Sequence, residues 1–305
     1  MSHSILVAPH PTAPRPVIRG LPTSSSAASR RVLGFVREQP LGAIGLMLVA
    51  LIGLLALLAA QIAPFDPLEI SGPSLLAPGG EHWFGTDELG RDVFSRVLFG
   101  ARVSVVVGFC AIVIGCGVGS CLGVFSAYEG GHVDILLQRL IDAMMAFPSL
   151  VLALSVVAAL GANEQNVILA IGWALIPGQT RVARSATLAI KNEVYIESAR
   201  AIGAGNFYIM RRQLLPNIVA PLTVVATAAF GGAIVAEAGL SFVGLGIPLP
   251  DPSWGNMMSG PARTYIARAP WMAFFPGLFL SLLVFGINML GDALRDVFDP
   301  RLRNR

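Results

Sequence analysis

A polar segment between two long apolar runs reads Asn192-Glu-Val-Tyr-Ile-Glu-Ser-Ala-Arg-Ala-Ile-Gly-Ala-Gly-Asn-Phe-Tyr-Ile-Met-Arg-Arg-Gln-Leu-Leu-Pro216. Residues 193–202 are mostly good helix formers. Gly203 to Asn206 then interrupt the pattern, because Gly and Asn accept the positive φ that ends helices. A second helical run from Phe207 to Leu214 is expected to stop at Pro216, which disfavours helix at the residue before it. The segment is therefore predicted to form a short helix–turn–helix.

The composition of the whole chain excludes a soluble globular protein. Of 305 residues, 54% are hydrophobic and only 13% are charged, the mean hydropathy is +0.70, and soluble domains average about a quarter charged residues. Because about 20 apolar residues cross a bilayer as a helix, the charge-free intervals predict an all-α integral membrane protein with six transmembrane helices. The predicted spans lie near residues 40-63, 102-127, 143-163, 165-183, 216-237 and 270-291. Interval 165–180 is short and contains Pro177, so four or five spans plus a re-entrant segment is the alternative.

Basic residues are divided unequally between the two sides of the membrane. With six spans, all but five of the 21 Lys and Arg residues fall on the side that holds both termini and segment 192–216. The five on the other side are Arg91, Arg96, Arg102, Arg263 and Arg268. The positive-inside rule predicts that both termini and the polar segment are cytoplasmic. No basic stripe with interleaved aromatic residues indicates a nucleic-acid partner.

The first 38 residues differ from the rest of the chain. They are rich in Pro, Ser, Thr and Ala, a composition typical of disorder, so 1-38 is predicted to be a cytoplasmic N-terminal tail. Residues 28–38 alternate apolar and arginine residues, which fits either an interfacial helix on the inner leaflet or a frayed linker. Residues 39-305 are predicted to form one transmembrane domain.

Two local patterns in the apolar half have competing interpretations. Gly115, Gly119 and Gly123 in the second predicted span form small-xxx-small pairs, which favour close helix packing; no Lys-Ser/Thr follows to make a phosphate loop. The segment before this span contains four potential metal ligands, His82, Asp87, Glu88 and Asp92. Their spacing matches no metal-site pattern, so a structural histidine and an amphipathic element that packs on the protein are favoured. In the third span, Phe147-Pro148 predicts a kink.

The order Glu197-Ser-Ala-x3-Gly203-x9-Gln213-x-Leu215-Pro216 resembles the EAA loop of ABC importer permeases, Glu-Ala-Ala-x3-Gly-x9-Ile-x-Leu-Pro. It departs from that pattern at Ser198 and at Gln213. Three further runs, 82–96, 240–255 and 291–301, are similar to the C-type permease of dipeptide, oligopeptide and nickel importers. The similarity covers roughly residues 40 to 303.

The resemblance implies a type I ABC importer permease fold in a bacterial inner membrane. Residues 192-216 would be the coupling loop that inserts into an ATPase subunit, and its ATPase-coupling residues would be Glu197, Ser198, Ala199, Gly203, Leu215 and Pro216. The implied partners are a homologous B-type permease, two ABC ATPase subunits, an extracytoplasmic substrate-binding protein and membrane lipid. Small peptides are the expected cargo, and glutathione, nickel complexes or another small solute are the alternatives. Without a Gly-x4-Gly-Lys-Ser/Thr loop the chain is expected to bind no nucleotide cofactor and to carry no catalytic residue.

Glu237 is the one carboxylate near membrane depth in the predicted fifth span. It is either a solvated residue at the outer interface or a residue of the translocation path that pairs with a cation, for which Arg263 and Arg268 are available. Two other function classes make demands that this sequence does not meet. An intramembrane enzyme would need paired carboxylates or an activated serine within the spans. A secondary transporter would need more buried ionisable residues than these spans contain.

Overall fold

The computed structural model describes residues 39–298, where regular secondary structure is helical apart from isolated β-bridges. The predicted tail 1–38 with its interfacial segment and residues 299–305 lie outside the described part. In chain order the helices are α1 (Pro40–Leu57), α2 (Ala59–Ile62), α3 (Val93–Glu129), α4 (Gly131–Met145), α5 (Ser149–Leu160), α6 (Glu164–Ile190), α7 (Val194–Ala201), α8 (Asn206–Tyr208), a π-helical turn (Ile209–Leu214), α9 (Leu215–Phe242), α10 (Trp254–Met257), α11 (Gly260–Thr264) and α12 (Trp271–Phe298).

Within residues 39–298, four helical stretches are long and apolar enough to cross a membrane: Pro40–Leu57, Val93–Glu129, Asn206–Phe242 and Trp271–Val297. The α4–α5 pair adds a fifth if its two helices, bent by 87°, form one broken span. The prediction of several transmembrane helices is confirmed, but by length and hydropathy the described residues contain four or five spans and not the predicted six. The predicted span 165-183 lies in α6, a helix of 27 residues, whose polar residues, among them Gln179 and Arg181, lower its hydropathy.

The third predicted span, 143-163, is wrong in its bounds. The helix breaks between Met145 and Ser149, and α5 has only 12 residues. At 1.5 Å per residue that is about 18 Å, shorter than the ~30 Å hydrocarbon core. Pro148 disfavours helical backbone at Phe147, so the predicted kink is a complete break.

The second predicted span, 102-127, is the middle of a longer helix. Helix α3 has 37 residues and starts at Val93, because the Asp92 side chain caps it by accepting the Ser95 backbone N–H at 2.8 Å. The added turns pack against the segment that precedes them: Arg96 Nη1 donates to the carbonyl oxygen of Pro67 at 2.8 Å. The amphipathic element predicted there is only partly in α3: Val93, Phe94 and Leu98 belong to the helix, whereas Phe84 and Leu89 precede it.

His82 has a structural environment. Its Nδ1 lies 2.9 Å from Asp92 Oδ1, and its ring stacks on Phe65 with centroids 5.0 Å apart. Asp87 is engaged by Arg91, whose Nε donates to Oδ2 at 2.6 Å. Within residues 39–298, no group of three or more His, Cys, Asp and Glu side chains could hold a metal ion.

The predicted close-packing face is present where α3 meets α6. A methyl group built on Gly119 would lie 2.8 Å from the carbonyl oxygen of Ile176, and one on Gly123 would overlap that of Thr180. Gly115 meets α6 in the same way one turn earlier. The two backbones therefore touch along three turns, which is the closest approach that helices in a bilayer can make.

The end of the bundle away from residues 192–216, here called the distal end, is closed by the loop after α9. Trp254 is fully buried, and its Nε1 donates to the Val97 carbonyl oxygen at 3.0 Å. Ser253 and Asn256 form a reciprocal capping box at the start of α10. This loop joins α3 to α9 across the distal end.

We expect Gly123→Ala to destabilise the chain by about 1–3 kcal/mol, because overpacking forces backbones apart. Gly117→Ala is the matched control in the same helix, since nothing lies within 4 Å of its added methyl group. Thermal unfolding in detergent measures both variants. Equal unfolding temperatures for the two would contradict the close α3–α6 contact.

Candidate functional site

Residues 192–216, here called the coupling element after their predicted role, form helix α7, a turn and a second helical run. The turn after α7 is a Schellman motif: Gly203 N–H donates to Arg200 O at 2.9 Å, and Ala204 N–H donates to Ala199 O at 3.0 Å. Gly203 has φ +83°, a left-handed conformation that costs other residues about 1–2 kcal/mol. No atom of the described residues lies within 4 Å of its missing Cβ, so the backbone angle requires this glycine.

The sequence predicted that the second helical run stops at Pro216, and this prediction is wrong. Helical structure continues from Asn206 to Phe242. The turn before the proline is π-helical, with Leu215 N–H bonded to Met210 O, and such turns are rare within helices and frequent at functional sites. The side chain of Asn217 donates to Gln213 O at 2.6 Å. The coupling element is therefore continuous with the span α9.

One face of the coupling element is anchored to the ends of α3 and α6. Ile196, Ala199 and Ile209 are buried in a cluster with Val124 of α3 and Ala183 of α6, and Leu214 and Ile218 belong to the same cluster. A second contact lies at the end of α3, where the Tyr128 hydroxyl lies 3.1 Å from Asn206 Oδ1 and the Arg200 guanidinium lies 5.1 Å from the Tyr128 ring centroid. Helix α7 is therefore packed against the ends of α3 and α6.

The six predicted coupling residues lie on this element but not on one face. Glu197, Ser198, Gly203 and Pro216 are exposed, Leu215 is half-buried, and Ala199 is buried against the bundle. The hydroxyl of Ser198 donates to Val194 O at 2.8 Å, so this departure from the alanine of the family pattern is absorbed within α7. Ala199 and Leu215 anchor the element, and the other four remain available to a partner.

Large apolar side chains that the sequence reasoning did not single out are also exposed here. They are Val194 at 74%, Tyr195 at 40%, Ile202 at 86%, Phe207 at 71% and Tyr208 at 53% exposure. The sequence could have indicated them, because large apolar residues in an otherwise polar loop have no core of their own to pack into. Exposed apolar residues grouped on one element indicate a protein contact.

Glu237 lies neither at a solvated interface nor beside an arginine. It is fully buried, and its two carboxylate oxygens accept hydrogen bonds of 2.8 Å from Ser104 of α3 and Ser241 of α9. Arg263 instead lies over the Phe242 ring, 5.2 Å from its centroid. The expected pairing with Arg263 or Arg268 is not present in the described structure, because hydroxyl donors from neighbouring helices satisfy the carboxylate.

Comparison with known proteins identifies the class. The family described as binding-protein-dependent transport system inner membrane component matches residues 119–304. The chain therefore belongs to this family, the permeases of ABC importers. Its fold agrees: a permease chain of the MetNI methionine ABC transporter in an inward-facing conformation matches with TM-score 0.55 at 20% identity, over 68% of this chain and 98% of that chain. The all-α type I importer fold predicted from the sequence is confirmed.

Three named permeases are similar to this chain over most of its length. The dipeptide transport system permease protein DppC of Alkalihalophilus pseudofirmus is 39% identical over 98% of this chain and 97% of its own length. The di/tripeptide permease DppC of Pseudomonas aeruginosa is 42% identical over 85% of this chain and 88% of its own length. The glutathione transport system permease protein GsiD of Escherichia coli is 41% identical over 88% of each chain.

We expect Gly203→Ala to destabilise the turn of the coupling element by about 1 kcal/mol, because alanine is strained at positive φ. Gly205→Ala is the matched control two residues later, with φ −66° and open space around its Cβ position. Hydrogen exchange of the amides in α7 measures the difference. Faster exchange in the Gly205 variant than in the Gly203 variant would contradict the assigned turn.

Proposed function

We propose that this chain is the subunit through which an ABC importer moves small peptides across the bacterial inner membrane. The observation that carries the proposal is the coupling element, which is anchored to α3 and α6 on one face and exposes large apolar side chains on the other. A surface of this kind fits a partner that drives the bundle from outside. The names of the relatives support peptides as the cargo.

The proposed partners supply the ATP hydrolysis and the solute delivery for which this sequence has no motif. It contains no phosphate-binding loop, so ATP hydrolysis belongs to separate subunits, two ABC ATPases. A homologous B-type permease completes the translocation path, and an extracytoplasmic binding protein delivers the solute. Glu197, Ser198, Gly203 and Pro216 contact the ATPase together with the exposed apolar side chains, and both termini are cytoplasmic, in keeping with the distribution of basic residues.

The mechanism is a rigid transfer of movement. ATP binding closes the ATPase pair and displaces α7. Because Ile196 and Ala199 are buried against Val124 and Ala183, α3 and α6 follow. Switching between inward-open and outward-open states requires such differential contacts with a driving partner.

A second cargo, glutathione, is favoured by a specific observation. Relatives named as glutathione permeases are as similar to this chain as those named for dipeptides, 41% against 39% identity. Glutathione is itself a small peptide with free termini. Competition between the two cargoes distinguishes them.

We expect Ile202→Asp to abolish both ATPase binding and uptake, because it places an unpaired charge at the centre of the proposed contact. The chain is coexpressed with its candidate B-type permease, ATPases and binding protein, purified, and reconstituted into liposomes with internal ATP. Copurification of the ATPases and uptake of radiolabelled dialanine are measured, with unlabelled glutathione as competitor, and uptake of radiolabelled glutathione is measured in a separate assay.

The matched control is Leu249→Asp. Leu249 is 71% exposed and lies in the loop at the distal end, so the ATPases should copurify as with the unchanged chain. Retained ATPase binding by Ile202→Asp would rule out the proposed contact. Dialanine uptake that is absent while glutathione itself is taken up would replace the dipeptide with the second cargo.

Glu237 is proposed to support the distal end of the translocation path. Ser241 donates to the carboxylate and also accepts the Ile247 N–H at 3.1 Å, so Glu237 connects α3, α9 and the closing loop. We expect Glu237→Gln to lower the uptake rate about tenfold, because the amide can accept at only one oxygen and a buried donor left without a partner costs about 1–3 kcal/mol.

Assembly and basal ATP hydrolysis should be unchanged in this variant. Glu81→Gln, an exposed position in the segment before α3, is the control for loss of one negative charge. Equal uptake rates for the two variants, at matched expression, would remove Glu237 from the path.

A further inference from the structure

Helix α4 is attached to the bundle mainly by polar contacts. Of its 15 residues only Ile141 is buried. Its large apolar side chains point away from the protein: Ile135 is 59%, Leu136 is 74% and Leu140 is 60% exposed. Apolar burial therefore contributes little to holding α4 against its neighbours.

The polar contacts centre on Asp134. Both nitrogens of the Arg184 fork donate to its carboxylate, Nε to Oδ1 at 2.7 Å and Nη2 to Oδ2 at 2.6 Å. The Ser126 hydroxyl of α3 donates to Oδ1 at 2.5 Å and also accepts from Gln138 Nε2 at 3.0 Å. A bidentate arginine–carboxylate pair is directional as well as strong, so this cluster defines the orientation of α4 relative to α3 and α6.

Both ends of α4 are joints, that is, breaks between helices at which the chain can change direction. Gly130 and Gly131 connect it to α3 with φ +68° and +54°, and Gly131 has open space around its Cβ position. At the other end the break before Ser149 turns the chain by 87° into α5. Since neither connection defines the orientation of α4, its side-chain contacts with α3 and α6 do so.

We propose that Asp134 and Arg184 are positioning residues that make α4 move as one body with α3 and α6, so that movement of the coupling element reaches α5. The proposal rests on the proposed importer function. Arg184 lies on α6 ten residues before α7 begins at Val194, and α6 is joined to α3 by backbone contact at Gly119 and Gly123. The ion pair is then the link between this rigid pair and the bent α4–α5 segment.

The chain contains its own matched control on the same two helices. Arg181 Nη2 donates to Asp142 Oδ1 at 2.5 Å, but these side chains are 50% and 47% exposed, against 32% and 15% for Arg184 and Asp134. Exposed pairs contribute little because water screens them and side-chain entropy opposes them. Asp142→Asn therefore removes the same chemistry without removing the link.

The test measures the position of α4 in the assembled transporter. Spin labels at Val118 in α3 and Leu140 in α4, 43% and 60% exposed, are introduced after replacing Cys110, Cys116 and Cys121 by alanine. The distance between the labels is measured by pulsed electron paramagnetic resonance with and without ATP and vanadate. With native Asp134 we expect one narrow distribution that nucleotide does not change.

Asp134→Asn and Arg184→Gln should broaden that distribution and make it depend on nucleotide, while Asp142→Asn leaves it unchanged. In the uptake assay, the first two should lower the dialanine taken up per ATP hydrolysed by roughly tenfold, the size of a typical coupling between sites. Exchange of the two residues, Asp134→Arg with Arg184→Asp, should recover part of the loss. Arg184→Lys, which keeps the charge but not the fork, should be intermediate, and it serves where Asp134→Asn does not assemble.

An unchanged distance distribution in Asp134→Asn, or in Arg184→Lys if Asp134→Asn does not assemble, would overturn the proposal. So would a parallel loss of uptake and ATP hydrolysis with the distribution unchanged, since a merely stabilising pair affects both equally. Failure of the proposed function looks different. The unchanged chain would then take up no dialanine, whereas the label distances would still report whether the ion pair holds α4.

Discussion

The contact between α3 and α6 is the interaction on which the rest of the structure depends. Apolar side chains give no driving force for association in lipid, so close van der Waals packing has to hold the helices together. Gly115, Gly119 and Gly123 allow α6 to touch the α3 backbone. The two helices then end side by side, and Val124 and Ala183 near these ends form the apolar surface against which one face of the coupling element is buried. A looser contact would leave that element without a rigid support.

The bundle combines two kinds of attachment. Backbone packing at the glycines leaves no room for added side-chain atoms, because a methyl group built on Gly115, Gly119 or Gly123 would overlap α6. The link between α4 and α6 through Asp134 and Arg184 is polar, partly exposed and lies between two joints. A bidentate pair of this kind defines the orientation of a helix that apolar packing does not hold. In the proposed mechanism, α4 then moves as one body with the α3–α6 pair.

The distal end shows how a membrane protein keeps polar groups in its interior. Asp92 caps α3 and accepts from Ser95, and Glu237 accepts from Ser104 and Ser241. Each carboxylate is satisfied within the chain, which offsets the cost of removing it from water. Because Glu237 draws one donor from α3 and another from its own helix, a single side chain connects the span α9 with α3 and with the closing loop.

What the sequence by itself determined is local. The apolar intervals predicted membrane helices, the glycine spacing predicted the packing face of α3, and Gly203 with its neighbours predicted a turn at the coupling element, because each signal depends on residues a few positions apart. Residues far apart in the chain decided the rest. Ser104 and Glu237 are 133 positions apart and Asp134 and Arg184 are 50 apart, and the exposure of Ile202 depends on which faces of α7 the bundle covers. Only the tertiary structure brings such partners together, since long-range hydrogen bonds and burial leave no periodic pattern in the sequence.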